Sequence, residues 1–309
     1  MTSTISEFVW ARPALAGCVT GMVVRDTRGC ALDQRQRFTF WPAIPYPVVI
    51  CTFAGGSHVV QPDQMEQPWT GARVPHFAFD GARVLPSILW NPGEVYYIGI
   101  GFVPDGLSAM TGIDLSSFTG RGALAEEALP QPMLEAFRNF FDAVPRGGPE
   151  RSFSVLQDEI EPMWAAARPA GTMSLPFTAD WTRSLVRRAA ATGSGRSTRQ
   201  IARRVKSWTG VTERELQRFA QILRLHFEAR EARWTGDVDW AALAAESGFA
   251  DQAHMIRRMK QHTGFTPEQL LESRTHDEAF WYYRLLDRIV DQYLERFESY
   301  QAGSVAHFR

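Results

Sequence analysis

Two short stretches of this chain mix side chains that bind anions with side chains that read hydrogen-bond patterns. The first, 195–210, holds Arg196, Ser197, Thr198, Arg199, Gln200, Arg203, Arg204 and Lys206. The second, 251–264, holds Gln252, Ala253, His254, Arg257 and Arg258. Guanidinium and ammonium groups neutralise phosphates, while Arg and Gln pair with the edges of guanine and adenine. The surrounding charge agrees. The net charge is only -1, but it is unevenly spread. Residues 1–180 carry 12 basic and 18 acidic side chains, and 181–309 carry 21 and 16. Within 183–233 the balance is 13 to 4. Such a block is either a polyanion-binding face or a solvated helical face.

Other constellations offer less. His58, His76, Glu94 and Tyr96 share the N-terminal third, but the chain contains no His-x-His pair. No metal and no cofactor are therefore expected, and these histidines read as ordinary hydrogen-bonded ones. Ser57-His58 with Asp63 or Asp80 lacks the G-x-S-x-G elbow of a nucleophile, so no catalytic residue is assigned. Gly99-Ile100-Gly101 is a lone GxG on a strand and reads as a bulge. Cys18, Cys30 and Cys51 form no CxxC pair, and their odd number argues for buried small side chains.

Helices must position the two polar stretches. In the second, a short helix from Trp240 ends at Ser247-Gly248, Phe249 follows as an apolar plug, and Asp251 is a good N-cap. Met255 and Met259 then lie one turn apart and face inward, which turns Gln252, His254, Arg257 and Arg258 outward. Ile201 and Val205 form the matching inward pair of the first stretch. This is a helix-turn-helix layout with Gly in the turn. A connecting helix over 212–233 carries Leu216, Phe219, Ala220, Leu223 and Phe227 on one stripe. It spans about 30 Å, against about 34 Å between successive major grooves on one DNA face.

The run WAALAAESGFADQAHMIRRMKQHTGFTPEQL (240–270) resembles the second helix-turn-helix of the AraC-type (AraC/XylS) bacterial transcriptional regulators. Residues 195–210 resemble the first recognition helix of that family, and 277–284 resemble a C-terminal extension found in one of its branches. Together these cover roughly 181–285. The resemblance implies base-edge contacts from Arg199, Gln200 and Arg203 in the first unit and from Gln252, Ala253, His254 and Arg257 in the second. Arg196, Ser197, Thr198, Arg204, Lys206 and Arg258 are then placed for phosphates. It implies double-stranded DNA and RNA polymerase as partners, a small-molecule effector with no residues assigned, and a homodimer. Thr192-Gly193-Ser194-Gly195 is a longer turn than the family's, so the first unit either reads bases or chiefly grips phosphates.

The rest of the chain sets the frame. Short runs rich in Val, Ile and aromatics, broken by Pro and Gly, predict strands through the first 125 residues. Met133, Leu134, Phe137, Phe140 and Phe141 predict an amphipathic helix, and a second follows over 150–167. The expected fold is α+β: an N-terminal cupin-like β-barrel sensor domain with flanking helices over 1–170, then an all-α DNA-binding domain. That domain would occupy 180–276 after a linker at 171–179, with recognition helices over about 197–209 and 251–263. An amphipathic extension over 277–309 would pack on its own chain or serve dimerisation. The alternatives are a cupin-like barrel enzyme with an accessory helical domain, and an architectural DNA-binding protein without an effector. No apolar run spans a bilayer, and 1–7 lack signal-peptide features, so a cytoplasmic protein is expected.

Overall fold

Strict alternation along the N-terminal strands gives each sheet two usable faces, and both are covered. A computed structural model of the chain describes residues 3–170, 172, 179–192, 197–235 and 238–292. The first sheet contains β1 (Ile5–Trp10), β2 (Val19–Asp26), β4 (Val48–Ala54), β7 (Phe77–Asp80), β9 (Tyr96–Phe102) and β10 (Gly122–Leu124). Its order is β1-β2-β9-β4-β7-β10. The second contains β3 (Phe38–Trp41), β5 (His58–Val60), β6 (Ala72–Arg73) and β8 (Ser87–Trp90), in the order β3-β8-β5-β6. All pairings are antiparallel.

The fold is α+β as expected, but the sheets stay open and do not close into a barrel. One cause lies between β3 and β4, where Pro42, Pro45 and Pro47 interrupt the chain. Proline has no N–H to give to a ladder, so pairing cannot continue around this corner. Only an isolated bridge, Ile44 to Arg83, forms there.

The outer face of the first sheet carries Met22, Val24, Val49, Cys51, Phe79, Ile98 and Ile100. It packs against α1 (Pro104–Thr111), α2 (Ala125–Ala128), α3 (Gln131–Gly147) and α4 (Pro149–Ala167). The expected stripe on α3 is present: Met133, Leu134, Phe137 and Phe140 are buried, and Phe141 stacks on Phe53 at 4.8 Å. Gly148, at φ 79°, reverses the chain between α3 and α4. Cys18 and Cys51 are buried in this core as free thiols, and burial pushes both thiol pKa values up.

The inner faces of the two sheets look at each other across a cavity of about 800 Å³. Val23, Ile50, Tyr97, Gly99 and Gly101 face it from the first sheet, and Trp41, Val59 and Leu89 from the second. The bulge expected at Gly99-Ile100-Gly101 falls on the facing strand β2, between Val19 and Gly21. There Gly21 sits directly opposite Gly101. A side chain on Gly21 would run into Phe8 and the Val9 carbonyl, and its φ of 159° also favours glycine.

The helical region comprises α5 (Ala179–Ala191), α6 (Thr198–Thr209), α7 (Glu213–Thr235), α8 (Trp240–Glu246), α9 (Gln252–Thr263) and α10 (Pro267–His276). A 3-10 turn, Glu278–Phe280, then leads into a helix over 281–292. The outer face of the second sheet (Phe38, Phe40, Val60, Ile88 and Trp90) shares one core with Leu225, Leu243, Phe249, Met255, Met259, Leu270 and Phe280. The described part of the extension packs on the chain's own sheets; Tyr293, Leu294 and Phe297 lie outside the described residues. Trp281 Nε1 donates to Thr39 Oγ1 at 3.0 Å, and the indole meets Trp41 edge-on at 5.5 Å. The Arg25 guanidinium lies 4.8 Å from the Trp281 ring and pairs with Glu278 at 2.8 Å. Among the described residues no helix is long and apolar enough to cross a membrane. Because Trp281 is almost fully buried between sheet and helix, Trp281→Ala is expected to cost about 3–5 kcal/mol. Urea unfolding followed by circular dichroism checks this, and strands and helices should unfold in one transition.

Candidate nucleic-acid interface

The second polar stretch is held by caps at both ends. Asp239 caps α8, accepting from Ala241 N and Ala242 N at 3.0 Å each. Gly248, at φ 77°, turns the chain, and Phe249 is buried beneath it. The connector α7 steadies this turn from behind. Gln221 Nε2 donates to the Ser247 and Gly248 carbonyls at 3.1 and 3.0 Å, and Arg224 donates to the Glu246 carbonyl at 2.7 Å. Asp251 caps α9 by accepting from His254 N at 2.6 Å. Met255 and Met259 are buried, as the spacing required. Gln252, Ala253 and Arg257 are exposed on the opposite side. His254 and Arg258 are half-buried, and Arg258 Nε donates to His254 Nε2 at 3.2 Å.

The first stretch follows the same plan with one difference. Ser197 caps α6 by a reciprocal pair: its hydroxyl accepts from Gln200 N at 3.4 Å, and Gln200 Oε1 accepts from Ser197 N at 3.2 Å. The Gln200 side chain is thus used to close the helix start. Arg204 is also engaged, donating to the Ala189 carbonyl of α5 at 2.9 Å. Ser197, Thr198, Arg199, Arg203 and Lys206 are exposed. Arg196 and the Gly193-Ser194-Gly195 turn lie outside the described residues.

The two units are copies. Thr209 and Thr263 end α6 and α9, each with its hydroxyl donating back to the carbonyl of Val205 or Met259, at 2.7 and 2.8 Å. Gly210 and Gly264 follow in the left-handed conformation, at φ 79° and 86°. Thr212 with Glu215, and Thr266 with Gln269, then cap the next helix by the same reciprocal bonds. Each position of the second unit lies 54 residues after its counterpart, which pairs Arg203 with Arg257 and Arg199 with Ala253. The signal for this was in the sequence: TGVTEREL at 209–216 repeats as TGFTPEQL at 263–270.

Both of these end turns dock on the N-terminal region, which residue patterns did not foretell. Thr119 donates its hydroxyl to the Gly210 carbonyl, and Leu115 and Ala82 lie beside that glycine. Partial burial raises the pKa of the nearby Asp114 carboxyl. Hydrogen bonds from Ser116 and Ser207 and the charge of Lys206 outweigh that and hold it below the usual range. At the second turn, Ala43 N donates to the His262 carbonyl at 2.7 Å, and Pro86 packs beside Gly264. Burial pushes the His262 imidazole down to about 4, with a smaller push from His226. Its ring stands edge-on to Phe219 at 5.1 Å. A third tie is the buried ion pair of Asp105 on α1 with Arg188 on α5. Burial drives the Asp105 carboxyl up, against the pull of Arg188 and Trp181.

The other candidates do not converge. Ser57 Oγ donates to Asn91 Oδ1 at 2.7 Å, and His58 Nδ1 donates to the Gly71 carbonyl at 3.0 Å, so the two form no nucleophile–base pair. Tyr96 lies in the other sheet beneath Arg28, at 4.2 Å. No group of three or more metal-ligating side chains occurs among the described residues.

Residues 190–273 match the family model described as a helix-turn-helix domain. That stretch of the chain is therefore a helix-turn-helix domain. No curated protein matches the chain. Among solved structures it is similar to ToxT from Vibrio cholerae O395, at 12% identity over 77% of this chain and 94% of that one, with a TM-score of 0.36. It is also similar to unsaturated fatty acid-bound ToxT from Vibrio cholerae strain SCE256, at 11% identity over 88% and 97%, with a TM-score of 0.35. The AraC-like transcriptional activator CuxR shares 13% identity over 84% and 81%, with a TM-score of 0.29.

Two outcomes follow. His262 is neutral in the fold, while the unfolded chain protonates near pH 6.5. Its contribution is therefore full above 6.5 and is lost as pH falls from 6.5 toward 4, by about 3 kcal/mol. Urea midpoints between pH 7.5 and 4.5 should show that loss, and His262→Gln should flatten it. Gln200→Ala is expected to cost about 0.5–1 kcal/mol as a lost cap, read as a drop in the thermal unfolding midpoint.

Proposed function

We propose that this chain is an effector-responsive regulator that binds double-stranded DNA sequence-specifically, laying α6 and α9 in adjacent major grooves. The observation that carries this reading is the repeat itself. Two copies of one capped helix expose an arginine at the same place, Arg203 and Arg257, and both pack on a single connector. That connector has 23 residues and measures about 35 Å. Successive grooves on one face of a duplex lie about 34 Å apart.

In this reading Arg199 and Arg203 face base edges from the first unit, and Gln252, Ala253, His254 and Arg257 from the second. Arg bidentate to guanine and Gln bidentate to adenine supply the sequence preference. Ser197, Thr198, Lys206 and Arg258 hold phosphates, with Arg196 added from outside the described residues. Gln200 and Arg204 serve by closing α6 and bracing it on α5. Residues 1–170 sense the effector and 180–276 bind DNA; the linker expected at 171–179 lies, apart from 172 and 179, outside the described residues, as do 293–309 of the C-terminal extension. RNA polymerase and a second copy of the chain, through the outer sides of α3 and α4, complete the set of partners.

The test begins by selecting bound duplexes from a random pool with the full chain. Arg257→Ala and Arg203→Ala should each lose about 1–3 kcal/mol on the selected duplex and relax preference at one base position. Lys206→Ala should weaken all duplexes alike and lower the salt slope by about 1. Inserting half a helical turn between the two contacted elements should reduce affinity to that of a single element. Binding that ignores the insertion would sink the two-groove arrangement.

A further inference from the structure

A helix cannot bond its own last carbonyls, so another group must. From Leu243 to Gly248, across the end of α8, each carbonyl has a donor. Ser247 N donates to Leu243 at 2.9 Å, Phe249 N to Ala244 at 2.8 Å and Gly248 N to Ala245 at 3.1 Å. The remaining three are bonded from α7. Arg224 Nη2 donates to Glu246 at 2.7 Å, and Gln221 Nε2 donates to Ser247 and Gly248 at 3.1 and 3.0 Å. Glu228, one turn further on, pairs with Arg224 at 3.2 Å and accepts from the buried Ser247 hydroxyl. Gln221, Arg224 and Glu228 follow at spacings of three and four, so one face of the connector closes on the turn that leads into α9.

The first unit is braced differently. There Arg204, on α6 itself, reaches back to the Ala189 carbonyl of α5 at 2.9 Å. The 54-residue repeat pairs Arg204 with Arg258 and Ala189 with Leu243. In the second unit the Leu243 carbonyl accepts from Ser247 N. Arg258 instead bonds along its own helix, from Nε to His254 Nε2 at 3.2 Å and from Nη1 to Gln261 Oε1 at 3.1 Å. The brace has moved from the helix being held to the connector. Arg224 belongs to the basic block 183–233 and is exposed, so charge alone would count it as a phosphate contact. Its guanidinium is spent on the carbonyl end of α8, where a cation is also favoured by the helix dipole.

We infer that Gln221 and Arg224 are positioning residues for sequence reading: they set the aim of α9, and with it the base preference of the second unit, without touching DNA. The inference rests on the regulator reading above and puts part of the preference outside both α6 and α9. Asp251, the cap of α9, follows Gly248 by only three residues. Play in the turn therefore passes straight to Gln252 and Arg257. Bidentate pairing with a base edge is directional and is lost on a small tilt, whereas attraction to phosphates survives it.

The experiment uses the full chain, its selected duplex, and the variants Gln221→Ala and Arg224→Ala. Each variant should bind that duplex about 3- to 10-fold more weakly. Preference should relax only at the base positions that Arg257→Ala also relaxes, and the positions set by Arg203 should be unchanged. The salt dependence should stay that of the unsubstituted chain. If Arg224→Ala weakens all duplexes alike and lowers the salt slope by about 1, Arg224 is a phosphate contact and the inference fails. Unaltered preference in both variants overturns it as well. A second readout needs no DNA. Amide hydrogen exchange over 247–254 should quicken about 3- to 10-fold in both variants, with 198–209 unchanged. Unchanged exchange over 247–254 would show that the connector does not hold the turn. If the unsubstituted chain selects no duplex, the regulator reading falls on that result alone, and exchange still decides the brace.

Discussion

The core shared between sheet and helices is the constraint on which everything else depends. A unit made of α8 and α9 is too small to bury much apolar surface by itself. Met255 and Met259 on α9 therefore bury against a core that Phe38, Val60 and Trp90 complete from the second sheet. The first unit is completed likewise by Ala82, Val103 and Tyr46. The polar faces of α6 and α9 are presented from rigid ground because their apolar faces are anchored outside the helical region. A helix mounted this way loses little side-chain and backbone freedom when it meets a partner.

Buried charge adds specificity to this packing. Asp105 with Arg188 and Arg25 with Glu278 each join the N-terminal region to the helices, and each sits largely out of water. Such pairs add little net stability, but breaking one leaves an uncompensated buried charge. They penalise any docking that would separate them. They also draw on the basic stretch: Arg188 and Arg204 belong to the run of positive charge in 183–233, yet one serves an ion pair and the other a helix brace. Excess charge in a segment is therefore a poor count of its phosphate contacts.

Much of the helical architecture could be read directly. The caps at Asp251, Gly248, Gly210 and Gly264, the inward pair Met255 and Met259, and the stripe on α3 all follow from spacing and from glycine's access to positive φ. Gln200 shows where that reading stops. A Gln three residues after a Ser is a capping signature as well as a base reader, and spacing alone does not show the bonds that Gln200 Oε1 accepts from Ser197. The 54-residue repeat was equally present in the letters TG-x-T, but it has meaning only once both turns are seen resting on the same body.

By itself, the order of residues determined which segments are helix or strand, where they end, and which face of each is apolar. These are local matters of backbone sterics, capping and periodicity. Tertiary structure alone decided what covers those faces: two open sheets in place of a barrel, Trp281 against Thr39, the second unit on the outer face of the second sheet, and the first against α1 and the 3-10 turn Leu115–Phe118. Apolar burial has magnitude but no direction, so a stripe of Phe and Trp says that it must be covered without saying by what.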